Sequence, residues 1–336
     1  MKNRIIKTLV IVIAILLSLC SCNMGNISKV ELIYPLDYGI CSRLSSVGSG
    51  EGSNYNDNKY DYDKVSLFVK EDMPKGKVNF DVFGEEIGFF YISSLKETSL
   101  RTYCLDRFRG RNNKNETIHL TINSDTGKIV RYSVKNAGTD RNYQSKLGFD
   151  STEKDFVDYA KYLMDNYTSI NTDEWETEIK TIIISTNYDP KLNGKEIEGF
   201  ANYYQDDPEF SAEYTVSFYK TIAGIRRKDI VYVTFSNTGE IAAFYCESYD
   251  DVFLPFEKAI IDLQKINNIE KSEENNICRN HNVTSINSDY KLVAMSNELF
   301  VEITVSYEYE VKDGENTNQL GGMERYLIKV AEYSTN

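Results

Sequence analysis

Two histidines, six cysteines, 25 tyrosines and a surplus of carboxylates are the residues of this chain that could do chemistry. A nucleophile–base pair needs a histidine or its equivalent. His119 falls on the polar parity of a strand-like run, and His281 lies in the Asn-rich stretch Asn275–Asn282. The spacings of a Gly-x-Ser-x-Gly elbow, a His-Glu-x-x-His helix, a phosphate loop and a Cys-x-x-Cys pair are missing, so no catalytic residue, metal ligand or cofactor is assigned. Asp206-Asp207, Asp250-Asp251 and Asp173-Glu174 offer paired carboxylates of the kind that cleave glycosides. A solvated acidic surface produces the same adjacency, and that reading is preferred. Tyr203, Tyr204, Tyr219, Tyr232 and Tyr245 have the chemistry of an aromatic platform for a glycan or peptide, because tyrosine combines a flat apolar ring with a polar tip. Cys41, Cys104, Cys246 and Cys278 allow three disulfide pairings, and nothing in their spacing chooses among them.

The 336-residue length suits two domains or one large one, and a 41% hydrophobic content rules out wholesale disorder. With 38 Lys+Arg against 51 Asp+Glu, the net charge of −13 argues against nucleic acid as a partner, since phosphate demands a concentrated basic surface.

Lys2, Arg4 and Lys7 precede an uncharged apolar run, Thr8 to Leu19, that is too short to cross a bilayer core and has the shape of an export signal. The run ends Leu19-Cys20-Ser21-Cys22, which resembles the processing site of bacterial lipoproteins: an apolar residue, a small residue, then an obligatory cysteine. The resemblance implies cleavage after residue 21 and a diacylglycerol group on the sulfur of Cys22. It also implies attachment to the outer face of the cell membrane. Residues 22–63 then read as the lipidated N-terminus and a flexible tether, with Ser45–Ser53 of linker composition and some local packing at the apolar positions of Val30–Ile40. Asp57–Asp63 lacks the turn glycine and closing glutamate of a calcium loop and reads as a solvated acidic stretch.

Beyond Asp63 the hydrophobic period is two. Ile118, Leu120 and Ile122 alternate with polar residues, and so does the longer run Leu299, Val301, Ile303, Val305, Tyr307, Tyr309 and Val311. This is the signature of antiparallel strands with one buried and one wet face. Two helices interrupt the strands. Thr152–Asp155 has a capping-box pattern ahead of the stripe Phe156, Val157, Ala160, Leu163, Met164 and Tyr167. A second helix is expected from near Pro255, with Phe256, Ala259, Ile260, Leu263 and Ile266 on its apolar stripe. The predicted fold class is α+β, antiparallel sheets each packed by an amphipathic helix. The expected units are a β-rich one at 64–150, a helix plus sheet at 151–253, and a helix plus strands at 254–336.

Thr117–Tyr132 and Ile230–Phe244 share one plan: strand, glycine turn at Gly127 or Gly239, return strand. The stretches Tyr214–Ile225 and Asp229–Ile241 resemble the PepSY/YcdB-type repeats of Gram-positive secreted proteins, with an aromatic-rich strand, a Gly-apolar turn, a second strand and a glycine hairpin. Arg226-Arg227-Lys228 stands where that pattern commonly has proline, and reads as a solvated hairpin turn. The resemblance implies tandem cystatin-like units with a noncatalytic binding or regulatory role. The expected partners are the membrane, through Cys22, and an extracytoplasmic protein, peptide or envelope polymer. An envelope hydrolase working through paired carboxylates is the alternative, and a two-lobed solute receptor is disfavoured by the strand alternation.

Overall fold

The computed structural model describes residues 30–35, 37–48, 65–97, 103–134, 151–185, 210–236, 239–313 and 316–335. The expected export signal, Cys22, Tyr203, Tyr204 and Asp206-Asp207 lie outside the described residues. The chain is mostly antiparallel β-sheet with few helices, which meets the α+β expectation at that coarse level.

Two strands open the described chain, β1 (Val30–Ile33) and β2 (Ile40–Gly48). Six follow as β3 (Val65–Phe68), β4 (Lys77–Val82), β5 (Glu85–Glu97), β6 (Tyr103–Arg111), β7 (Thr117–Asn123) and β8 (Ile129–Val134). Helix α1 (Glu153–Tyr167) leads to β9 (Glu176–Ser185) and β10 (Phe210–Tyr219), a small hairpin of β11 (Thr221–Ile222) and β12 (Ile225–Arg226), then β13 (Ile230–Ser236) and β14 (Ile241–Glu247). Strands β3 to β10 with β13 and β14 make one antiparallel ten-stranded sheet, in which β8 pairs with β14 and so joins two meanders edge to edge. The expected units 64–150 and 151–253 therefore share one sheet.

Alternation decides which side is buried. Leu120, Tyr132, Phe244, Val233 and Val216 face α1, whose Phe156, Ala160, Leu163 and Met164 are buried against them. The helix starts where the capping box places it, with the Thr152 backbone N–H donating to Asp155 at 2.7 Å and the Thr152 side chain accepting from the Asp155 N–H.

The seam between the meanders has internal symmetry. The 112-residue step from Gly127 to Gly239 also carries Tyr132 onto Phe244, and those two residues are cross-strand partners. Residues related by the repeat and paired with each other lie on a local two-fold axis. Each hairpin also carries a bulge, at Thr121/Ile122 and Thr234/Phe235, where the return strand skips Val130 and Ala242, again 112 residues apart, and each turn glycine has positive φ (67° and 77°). Phe83, itself left-handed at φ 57°, wedges its ring against Tyr132 and Phe244 at 5.0 and 5.1 Å.

After β14 come a short helix α2 (Asp250–Phe253), a 3-10 turn at Leu254–Phe256, α3 (Leu263–Asn280), and β15 (Asn282–Met295), β16 (Glu298–Asp313) and β17 (Asn316–Thr335). Strands β15, β16 and β17 form a second antiparallel sheet that α3 covers. Two expectations are corrected here. The second helix does not run from Pro255: the chain leaves the 3-10 turn, and Asp262 restarts it as an N-cap by accepting from Gln264 N and Lys265 N at 3.1 and 3.2 Å. A local cap outweighs a stripe of apolar residues, so Ile260 and Leu263 point outward instead of lying buried with Ile266. The expected tether is also not wholly loose. Val30–Ile33 and Ile40–Gly48 both pair with β17, a partner some 300 residues away that no local pattern reveals.

The third correction concerns Arg226-Arg227-Lys228, which is the staple between the sheets and not a solvated turn. Arg227 is buried, with Nε and Nη2 donating to Asp229 at 2.8 and 2.9 Å and Nη1 2.7 Å from Asp250. Its guanidinium lies 4.6 Å from the Phe253 ring centre. Lys228 crosses to the second sheet, bonding Glu302 at 3.0 Å through Nζ and Leu292 O at 2.8 Å through its backbone. Only Arg226 is exposed, paired with Glu178 on the first sheet.

Candidate functional site

The face of the large sheet opposite α1 carries a continuous polar and aromatic band. One lateral row reads Glu178, Ser217, Tyr232, Tyr245, Arg131, Thr121 and Arg107, each the registered partner of the next across seven strands. At the usual strand spacing, six steps extend ~29 Å. A neighbouring row reads Lys180, Thr215, Thr234, Ala243, Ser133, His119, Arg109 and Phe90. Strand β6 turns Phe108 and Gly110 inward, so the period of two puts Arg107, Arg109 and Arg111 on this outer face. Arg109, Arg111 and His119 are exposed, while Arg107, Arg131, Tyr232 and Tyr245 are half-buried. A local run of basic side chains is notable on so acidic a chain.

Two of the tyrosines singled out from the sequence meet on this face. Tyr232 stacks on Tyr245 with ring centres 4.8 Å apart and planes 19° apart, and Tyr219, on the adjoining strand, carries the Arg226 guanidinium 3.7 Å above its ring. Burial, then the neighbouring Tyr245, pushes the Tyr232 phenol up to about 12. Tyr232 is therefore a neutral hydroxyl at working pH, able to donate and accept on a rigid ring. Arg131 is paired with Glu247, which holds the middle of the row in place. The basic residues on β6 left no cue beyond their alternation, Arg-Phe-Arg-Gly-Arg, and were not singled out in the sequence.

Of the other chemically capable residues, the two histidines lie at different sheets, whereas Glu174 and Asp250, from two of the acidic pairs, converge on Lys220 Nζ at 3.2 Å each. His119 belongs to the large sheet, whereas His281 follows α3 and lies against Tyr307 and Tyr309 at 5.5 and 4.7 Å. Asp250 pairs with Arg227 and Lys220, and Glu174 with Lys220. Among the described residues Cys41, Cys104, Cys246 and Cys278 form no disulfide with one another. Among the described residues no group of His, Cys, Asp and Glu is placed to hold a metal ion, and no helix is long and apolar enough to cross a membrane.

Two polar clusters lie outside what sequence reasoning found. One is a pocket of about 430 Å³ between α3, β2 and β17, lined by Arg43, Glu273, Asn276, Asn280, His281, Glu324 and Tyr326 among others. Its two carboxylates are already engaged: Glu273 with Arg43 at 3.2 Å, and Glu324 with the Tyr326 hydroxyl. The other is a buried network in which Ser94 donates to Asp106 and Lys70 Nζ reaches Asp106 and Ser124 at 3.0 and 3.1 Å. It has the residue types of a serine–lysine nucleophile but the wrong electrostatics. The hydrogen bond to Asp106 raises the Lys70 ammonium above its ordinary value, so it is held charged and cannot take a proton from Ser94.

This network should set part of the acid limit of the fold. Burial alone would raise Asp106, but hydrogen bonds from Lys70, Ser94 and Ser124 outweigh it and hold the carboxyl below its ordinary value. The stabilisation is complete above the unfolded carboxyl value of about 4 and is lost as pH falls through the lower folded value. In urea titrations from pH 6 down to 2, the stability gap between the native chain and Asp106→Asn is expected to narrow below that point. A gap unchanged with pH would show that the network does not depend on the charge.

Comparison with protein-family models, curated proteins and solved structures gives no match. The geometry above is therefore the ground for a functional reading.

Proposed function

We propose that this chain is a lipid-anchored extracytoplasmic protein that binds without catalysis, engaging a protein, peptide or envelope polymer through the open face of its large sheet. The observation that carries the reading is the ~29 Å row from Glu178 to Arg107, which holds Tyr232, Tyr245 and Arg131. It is a broad, shallow surface of rigid aromatics and bidentate donors, suited to an extended partner, where an enzyme would gather reacting groups in a cleft. We place the anchor at Cys22. The arrangement of α1 with β9, β10, β13 and β14, and of α3 with β15 to β17, supports the finer reading of two units in which a helix precedes an antiparallel meander that it packs on.

A photo-crosslinking residue at Tyr232 or Arg109 in intact cells should capture the partner, and the same probe at Lys154 on α1 should not. Equal labelling at the three positions would sink the binding face. For the anchor, Cys22→Ala should leave an unprocessed precursor or release the protein; membrane association unchanged after normal processing would refute it.

A further inference from the structure

An apolar patch surrounds the point where the chain emerges toward its N-terminus. Ile260 is 75% exposed, Leu254 63%, Leu263 46% and Val30 41%. These are not loose side chains. Ala259 and Ile261, on either side of Ile260, are buried, and the Ile260 N–H donates to the hydroxyl of Tyr34 at 3.3 Å. Tyr34 also reaches the Lys258 carbonyl at 3.5 Å, so the 254–263 segment is fastened to the residues just after β1. A rigid segment that turns isoleucine and leucine outward while burying its smaller neighbour is built to meet something apolar.

Chain length says what that is. Between Cys22 and Val30 lie residues 23–29, and a fully extended chain over those eight steps reaches at most about 28 Å. Strand β16 alone, at 16 residues, is about 53 Å long. An anchor at Cys22 therefore keeps Val30 within about 28 Å of the bilayer, which makes the end of the second sheet bearing β1 the near end. Tyr34 is four residues along from Val30, about 13 Å. The 254–263 segment thus lies about one short strand beyond the end of the leash. Within residues 254–265 Lys258 and Lys265 offset Glu257 and Asp262, so the segment itself adds no net charge for anionic headgroups to repel.

We infer that Leu254, Ile260 and Leu263 seat in the interfacial region of the membrane that holds the lipidated Cys22, a second contact that fixes the orientation of the protein. This rests on the proposed anchor. The contact leaves the Arg–Tyr band on the other sheet free for its partner. A single greasy attachment lets a protein swivel, whereas an attachment plus an inserted patch does not.

The test uses the full-length processed protein in phosphatidylcholine–phosphatidylglycerol vesicles whose acyl chains are brominated, a quencher of tryptophan. The native Trp175 is buried and serves as a constant background. Separate Ile260→Trp, Leu254→Trp and Phe90→Trp variants report on the patch and on the open face. Quenching at 260 and 254 is expected to exceed that at 90 about twofold or more, because interfacial side chains sit 5–10 Å deep, among the quenchers. Protein that floats with the vesicles but shows equal quenching at all three sites, or more at 90, overturns the inference and leaves the anchor standing. Protein that does not float overturns both. A concentration-dependent blue shift at 260 without lipid, and no quenching with it, would make a second copy of the chain the occupant and overturn the lipid contact.

Discussion

Replacing Arg227 with alanine should lower the unfolding free energy by about 3–5 kcal/mol, the usual cost of leaving one member of a buried ion pair without the other. The Arg227 side chain is 3% exposed and that of Asp229 1%, so solvent screening does not dilute the pair. With the guanidinium gone, Asp229 keeps only the Tyr249 N–H at 2.8 Å, and Asp250 loses its contact at 2.7 Å. The guanidinium also lies over Phe253, so the truncation removes packing as well as charge. A control separates the penalty of an orphaned charge from the worth of the pair. Arg227→Met combined with Asp229→Leu replaces both partners with apolar groups and should recover most of the loss. Urea unfolding of the three proteins decides it. If Arg227→Ala costs less than about 1 kcal/mol, of the order of an exposed pair, the buried pair is not a stability centre.

Phe244→Ala should cost a comparable amount, about 3–5 kcal/mol for a large aromatic deleted from a packed core. Its position makes collapse of the resulting cavity hard. Phe244 is fully buried at the two-fold seam, where among the described residues β8 pairs with β14 over three residue pairs. Phe83 touches it, Tyr132 and Tyr167 at once, so the hole opens among rings held by three different elements. The repeat relates Phe244 to Tyr132, yet Tyr132→Phe removes a hydroxyl and no ring, so it should change stability far less. A Phe244→Ala loss no larger than that of Tyr132→Phe would show that the seam is not a stability centre.

Features written within one turn of chain were readable in advance. Thr152 and Asp155 sit three residues apart, and α1 begins there. Gly127 and Gly239 turn their hairpins because only local φ is at stake. What escaped depends on partners distant in sequence. Arg227 looked like one of three surface charges because its acids, Asp229 and Asp250, are recognisable only once Trp175 and Phe253 have closed over it. Ile260 had the spacing of a buried helical residue, and the cap at Asp262 turned it out. The pocket unites Arg43 from β2 with Glu273 from α3 and Glu324 from β17, three segments whose neighbourhood no periodicity encodes. The open face was half legible: Tyr219 and Tyr232 stood out by composition, while the arginines of β6 became meaningful only when register laid them beside Tyr245 and Arg131.

The clasp between β1 and the end of β17 fixes an order of events in biosynthesis. Val30 pairs with Thr335 and Ile33 with Glu332, so β1 waits for a partner made some 300 residues later. Its sheet cannot close until β17 has been made, and a contact of such long range is slow to find. Until β17 is made, β1 and β2 have no partner in that sheet, so the second sheet is completed after the first.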